Sequence, residues 1–363
     1  MQEVINIDIQ DIKVDKDYVA SVIKNIGYNK QIVTYYKQLR NEYAGDMYLR
    51  LDRKLKALEE CNSFWELDRY DIHKIKDFKR TNLCKDKFCS NCKKVKQASR
   101  MSRFIPQLEK YNDRLYHMTL TQPNVSREQV KTTIKKCFKG IARLIGYLKG
   151  KKKIRGVDFS DFGYEGAVRS LEITFNENSY HVHLHVALVL NCDDIINKKY
   201  INTYSYHYGV LKRLFSEKEI LIQKIWYLIM NDIKVTKKAI DSLEEGYSCT
   251  IDKFTNDSYA ELFKYMVKDF TEVHSFMSYD NFKTLYDSLL NVRQIQGYGC
   301  LFNIKDTEKD ISEEVDEIYN SIIEELQKKE TPVEIVESPQ DILNDSEYTL
   351  ISRKKIYEYL RTL

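Results

Sequence analysis

Apolar positions along the chain switch between two periods, and the switches outline its elements. Residues 1 to 60 read as helical, with Leu51, Leu55 and Leu58 at helix-compatible spacing. Alternation takes over in Leu115-Tyr116-His117-Met118-Thr119-Leu120-Thr121 and stops at Gln122-Pro123-Asn124, a strand running into a turn. From Arg127 to Lys149 the period is helical again, with Val130, Ile134, Phe138, Ile141 and Ile145 on one side. Val168 to Phe175 alternates, a short polar turn follows, and His181 to Leu188 alternates once more. Two such runs predict an antiparallel hairpin. Beyond it the pattern predicts a helical stretch through Leu211, Leu214 and Trp226-Tyr227-Leu228, then a further helix from near Ser258 to about Phe270. Strands and helices interleaved in this way imply an α+β fold with a mostly antiparallel sheet.

Composition narrows this little, but charge placement changes it. The 363 residues suffice for a core without disulfide staples, and low Gly and Pro counts (12 and 4) favour an ordered protein. No apolar run is long enough to cross a bilayer and the N-terminus lacks a signal-like h-region, so a cytoplasmic protein without membrane contact is expected. Eight cysteines in a reducing compartment then read as thiols or metal ligands. The net charge of +4 hides strong segregation. Lys74 to Arg103 holds eleven basic residues against two acids, and Lys131 to Arg155 holds ten against none. Asp306 to Glu347 reverses the balance with fifteen acids against three lysines, and with Pro332 and Pro339 it reads as a mobile or loosely packed tail. Two basic runs point to a polyanion, with Lys85, Lys87, Lys93, Lys94 and Lys151, Lys152, Lys153 as candidate DNA contacts.

Three groups carry chemistry. His181, His183 and His185 alternate in an apolar strand, so their imidazoles share one face while Val182, Leu184 and Val186 take the other. Glu172, on the partner strand of the hairpin and on the face opposite Leu171 and Ile173, completes a set that suits a divalent ion such as Mn²⁺ or Mg²⁺. On the helix from near Ser258 to about Phe270, Glu261, Tyr265 and Lys268 share one face. A phenol of pKa about 10 needs a cation or base nearby to act as a nucleophile, and Lys268 offers the charge. Cys84, Cys89 and Cys92 fall within nine residues and can wrap a structural Zn²⁺, with Cys61 or the nearer His73 as the fourth ligand.

Taken together, the Thr119-Leu120-Thr121 strand, the histidine strand and Lys264-Tyr265-Met266-Val267-Lys268 resemble the motifs of the HUH endonuclease superfamily, in that order. Glu172-Ile173-Thr174-Phe175-Asn176 ahead of Tyr180-His181-Val182-His183-Leu184-His185-Val186, with Glu261 four residues before a single tyrosine, is similar to the Rep proteins of Gram-positive rolling-circle plasmids. The resemblance spans roughly residues 61 to 304 and implies a five-stranded antiparallel sheet flanked by helices and a histidine-held metal. It further implies a 5′-phosphotyrosine link at Tyr265 that leaves a free 3′-OH, and a general-base role for Glu261 toward a terminating water. Many relatives have Pro where this chain has Val182, so His183 and His185 are the firmer ligands. Cysteines like these recur in that family.

The expected organisation is a helical segment (1–60), a basic zinc module (61–103), the HUH nuclease domain (104–304) and the acidic tail (305–363). The expected activity is metal-dependent nicking and rejoining of plasmid origin DNA, duplex and single-stranded. By resemblance a host helicase and polymerase are partners, and an oligomer is compatible with this. A transposase or relaxase of the same superfamily is the competing enzyme, though GxxxxGK[ST] is absent. A zinc-containing DNA-binding regulator without catalysis is the competing non-enzyme.

Overall fold

The computed structural model describes residues 16–61, 64–69, 75–80, 83–90, 92–93, 100, 104–176, 178–192, 195, 197–206, 209–263, 267–269, 277–303 and 348–352. The chain divides into two compact units, one formed by Met1–Ser102 with Thr307–Leu363, the other by Arg103–Asp306.

The first unit opens with α1 (Lys16–Asn41) and α2 (Gly45–Glu59), which pack against each other and bury Ile32, Tyr36 and Leu39 together with Leu51, Leu55 and Leu58. An Arg40–Asp52 ion pair at 2.7 Å adds a polar tie. Strands β1 (Phe64–Arg69) and β2 (Ile75–Arg80) join β11 (Tyr348–Ser352) in an antiparallel sheet of order β11-β1-β2. The segment that reads as a loose tail therefore supplies a strand, because Tyr348-Thr349-Leu350-Ile351 is β-prone and β1 offers an edge.

The second unit is built on five antiparallel strands in the order β10-β4-β5-β3-β8. They are β3 (Leu115–Leu120), β4 (Tyr164–Phe175), β5 (Tyr180–Leu190), β8 (Cys249–Lys253) and β10 (Ile295–Gly299). The fold is the expected α+β, a five-stranded antiparallel sheet flanked by helices. A short strand, β9 (Val267–Asp269), adds itself parallel to the end of β4.

Faces of the sheet follow the two-residue period. One face carries Val182, Leu184 and Val186 with Leu171, Ile173, Met118 and Leu120, all buried. It is covered by α3 (Val130–Leu148), α4 (Glu217–Met230) and α7 (Tyr279–Leu289). Phe138 of α3 lies 3.6 Å beneath the Arg169 guanidinium, Trp226 of α4 donates to Thr121 O at 2.7 Å, and Tyr180 reaches Asn281 of α7. Helix α4 starts with the capping box Ser216-x-x-Glu219. The carboxylate of Glu219 is fully buried yet accepts from Ser216 N, Ile251 N and Lys198 Nζ, which offsets its desolvation and ties the helix to β8. The opposite face carries the histidines and meets α6 (Asn256–Phe263), through the run of rings His117, Phe254 and Tyr259. The short α5 (Lys237–Asp241) follows α4.

Two expected helical stretches are replaced. Residues expected to be helical through Leu211 and Leu214 form a two-stranded ribbon, β6 (Tyr200–Tyr206) and β7 (Gly209–Phe215), before α4 begins. β-branched and aromatic residues fill half of the ribbon and a glycine opens its second strand, so β propensity outweighs the leucine spacing. The helix expected to reach Phe270 ends at Phe263, and Val267–Asp269 pairs as β9 with Ile173–Phe175. Joining a free sheet edge satisfies backbone groups that an exposed last helical turn would leave to water.

Contact between α3 and α4 depends on Gly140, where a Cβ would sit 2.8 Å from the Trp226 ring and 3.2 Å from Ile229. Gly140→Ala sets a helix-propensity gain of about 1 kcal/mol against an overpacking cost of about 1–3 kcal/mol. The indole is held by its bond to Thr121, so the cost wins. A lower urea midpoint than wild type is expected, and a higher one would show that the two helices can separate freely.

Candidate metal centres and nuclease site

Pairing of β4 with β5 sets Glu172 opposite His183, with Ser170 opposite His185 and Thr174 opposite His181. Glu172 Oε2 is thereby 2.8 Å from His183 Nε2 and 2.8 Å from His185 Nε2, and all three side chains are buried. Burial alone would raise the Glu172 carboxyl, but hydrogen bonds from the two imidazoles outweigh it and hold the pKa well below the usual carboxylate range. An ionised carboxylate and two imidazole nitrogens, their donor atoms within 4.8 Å of one another, form a set that can hold a metal ion. His183 Nδ1 is buried and has no hydrogen-bond partner among the described residues. Leaving such a nitrogen unpaired costs about 1–3 kcal/mol.

The third histidine stands apart from this set. His181 turns its Nδ1 to Asn124 Oδ1 at 2.9 Å, and burial, then the neighbouring His183, pushes it down to about 4. A different histidine joins instead. His117 on β3 places Nε2 3.1 Å from His185 Nδ1, which fixes the nitrogen that His185 turns toward Glu172. Sequence reasoning passed over His117 within a strand it identified. Its alternation with Thr119, which pairs with His185, was the available signal.

Of the residues expected to do the covalent chemistry, Glu261 is half-buried on α6, two positions before the helix ends. Tyr265 lies outside the described residues. Lys268 is in β9, paired in register with Thr174, so the common helical face expected for Glu261, Tyr265 and Lys268 does not exist. Tyr259, also on α6, is buried with its hydroxyl unpartnered among the described residues, and burial raises its pKa.

In the first unit Cys61, at the end of α2, meets Cys84, Cys89 and Cys92. Sγ separations of 3.6 Å (Cys61–Cys89 and Cys61–Cys92) and 3.5 Å (Cys84–Cys92) are far too long for disulfides. They suit four sulfurs about 2.3 Å from one central ion, which stand roughly 3.8 Å apart at tetrahedral angles. Hydrogen bonds from Cys84 and the other two thiols hold Cys61 far below the ordinary thiol range, while the same contacts push Cys84 far above it. Cys89 is lowered and Cys92 raised in the same way, so only part of the set favours the thiolate, and a bound cation would let the rest ionise. Buried Asp86 shapes the loop by accepting from Tyr36, Lys54 and Phe88 N. His73, the other candidate for fourth ligand, lies outside the described residues.

The lysines expected to contact DNA divide by exposure. Lys85, Lys151, Lys152 and Lys153 are exposed and Lys87 is half-buried. Lys93 folds over the Tyr28 ring at 5.1 Å, and burial pushes it down to about 8. Lys94 lies outside the described residues. Among the described residues no helix is long and apolar enough to cross a membrane.

Cobalt(II) added to the reduced protein should produce the intense thiolate-to-metal absorption of a sulfur-rich tetrahedral site. Cys61→Ser should weaken it strongly, whereas Cys137→Ser, a buried thiol elsewhere, should not. An equal spectrum in wild type and Cys61→Ser would remove Cys61 from the set.

Comparison with known proteins gives this geometry its family. The chain is 30% identical over 183 residues to a protein named rep from Staphylococcus aureus, an alignment covering 48% of this chain and 74% of that protein. It is 26% identical over 313 residues to a protein rep from Bacillus amyloliquefaciens, covering 80% and 85%. No solved structure matches it. The profile of the Rep_1 family, described as replication protein, matches residues 75–340, and the chain therefore belongs to that family of replication proteins.

Proposed function

We propose that the chain is a plasmid rolling-circle replication initiator, which nicks one strand of its origin and later rejoins it through a 5′-phosphotyrosine link at Tyr265. One observation carries this: buried Glu172, His183 and His185 converge on the sheet face that α6 meets, and Tyr265 follows the end of α6 by two residues. Family membership supports the replication role.

In this reading the Tyr265 oxygen bonds to the scissile phosphorus and loses its proton, while the bond from phosphorus to the 3′-oxygen breaks. One ester is exchanged for another, and the protonated 3′-oxygen is left to prime a host polymerase. Positive charge from Lys268 eases loss of the phenol proton. A divalent ion, Mn²⁺ or Mg²⁺, held by His183, His185 and Glu172 would polarise the phosphate oxygens. His117 keeps His185 in the orientation that this needs. Glu261 takes the proton of the water that ends the cycle. A structural Zn²⁺ held by Cys61, Cys84, Cys89 and Cys92 would stabilise the first unit, and exposed Lys85 near it and the lysines at 151–153 grip the DNA backbone. The protein works in the cytoplasm with a host helicase.

Tyr265→Phe removes one hydroxyl, so duplex origin binding should survive while the covalent adduct with a single-stranded origin oligonucleotide disappears on a denaturing gel. An undiminished adduct would move the nucleophile to another tyrosine, Tyr259 first, despite its burial.

Glu261→Ala should spare the first nick and slow hydrolytic release by roughly 10²–10⁴-fold, the loss typical of a general base. An origin substrate with two nick sites separates the steps. Equal loss in both would assign Glu261 to folding or metal binding instead.

A further inference from the structure

Helix α3 buries one side against the sheet, and its other side is a row of like charges. Lys131, Lys135 and Lys139 follow one another at four-residue spacing and are all exposed. Like charges at i and i+4 destabilise a helix, so the row has a cost that folding alone does not explain. Lys136 is ion-paired with Asp232, but among the described residues Lys131, Lys135 and Lys139 have no acidic partner.

The row continues into a loop of defined shape. Lys149 N, Gly150 N and Lys152 N bond back to Ile145 O, Tyr147 O and Gly146 O, and Val157 N bonds to Ile154 O. Gly150 and Gly156 adopt the left-handed conformation that the two bends require. The Lys152 stem runs alongside Gly146 so closely that a Cβ there would meet it at 3.2 Å. This frame holds Lys149, Lys152, Lys153 and Arg155 exposed around a hollow of about 990 Å³, with Lys151 exposed on the same loop. Fixed cations bind an anionic backbone with less ordering cost than mobile ones.

We propose that the exposed side of α3 and the 149–155 loop form a docking surface for the phosphate backbone of duplex DNA, on the side of the sheet away from Glu172, His183 and His185. Charge complementarity selects a polyanion. Duplex is favoured over a single strand because single strands are held by exposed aromatic rings on which bases stack. Here Tyr147, Phe159 and Phe162 are buried in their own stack, and none of the large apolar side chains exposed among the described residues lines the hollow. The 19 residues of α3 extend about 28 Å at 1.5 Å per residue, the length of roughly eight base pairs. Placing duplex on one face leaves the histidine face to the strand that is cut. This deepens the proposed function, from which it takes its DNA.

The test uses the full chain, a 30-base-pair duplex of arbitrary sequence and a single-stranded origin oligonucleotide. The triple variant Lys131→Gln, Lys135→Gln, Lys139→Gln keeps good helix formers at exposed positions. It should bind duplex more weakly, with the slope of log affinity against log salt flatter by about 0.9 per lost phosphate contact, between two and three in all. Nicking of the single-stranded oligonucleotide should be unchanged. An unchanged salt slope overturns the proposal. So does an equal effect of Lys56→Gln, a lysine of the first unit paired with Asp52, which would reveal bulk charge instead of a surface. Parallel loss of single-strand nicking would assign the row to the cut strand and also overturn it. If wild-type protein forms no adduct, the nicking function fails while the duplex comparison still decides the docking surface.

Discussion

Glu172 is a carboxylate inside a sheet, and an ion buried in such a place is tolerated only where fixed partners replace its water. The β4–β5 register supplies them by setting His183 directly opposite and His185 two residues along. A slip of one residue would turn every histidine to the apolar face and bring Val182 and Leu184 beside the carboxylate. The register is thus locked from both sides, by the packing of Leu171, Ile173, Leu184 and Val186 under α3, α4 and α7, and by the cost of leaving Glu172 alone. The strands around this pair follow from it, since β3 brings His117 to His185 and β8 carries Asp252 opposite His117.

What the sequence made legible was local and periodic. Alternation placed the histidines on one face and Glu172 beside them, because a two-residue period survives any tertiary arrangement of a hairpin. The family was legible in the order of the same motifs. Where the sequence failed, a distant element decided. Val267-Lys268-Asp269 fits a helix by spacing, yet the free edge of β4 takes it as a strand, a contact with residues almost a hundred positions earlier. The 200–215 ribbon was hidden by two leucines at helical distance. His181 has the same local pattern as His183 and differs only because Asn124 waits across a turn. Cys61 could not be told from His73 until α2 delivered it to the other thiols.

The two ligand groups differ in chemistry as well as in place. Four sulfurs in the first unit make a soft, closed set that spares a segment rich in Lys and Arg from needing a large apolar core. Two imidazoles and a carboxylate in the second make a harder set with ligands on one side only. A site of the first kind holds a shape, whereas one of the second kind has room for a substrate oxygen.

Tyr265 occupies the middle of a three-residue gap between the last residue of α6, Phe263, and the first of β9. Phe263 is fully buried against Phe104, and Val267 is paired with Ile173. Two residues of chain reach about 7 Å at most, so its Cα is leashed within that distance of both anchors. In the proposed reaction a DNA end joined to it would stay at the sheet however long the displaced strand grows. Resealing would then be a reaction between tethered groups, its rate governed by local effective concentration instead of by the dilution of DNA ends in the cell.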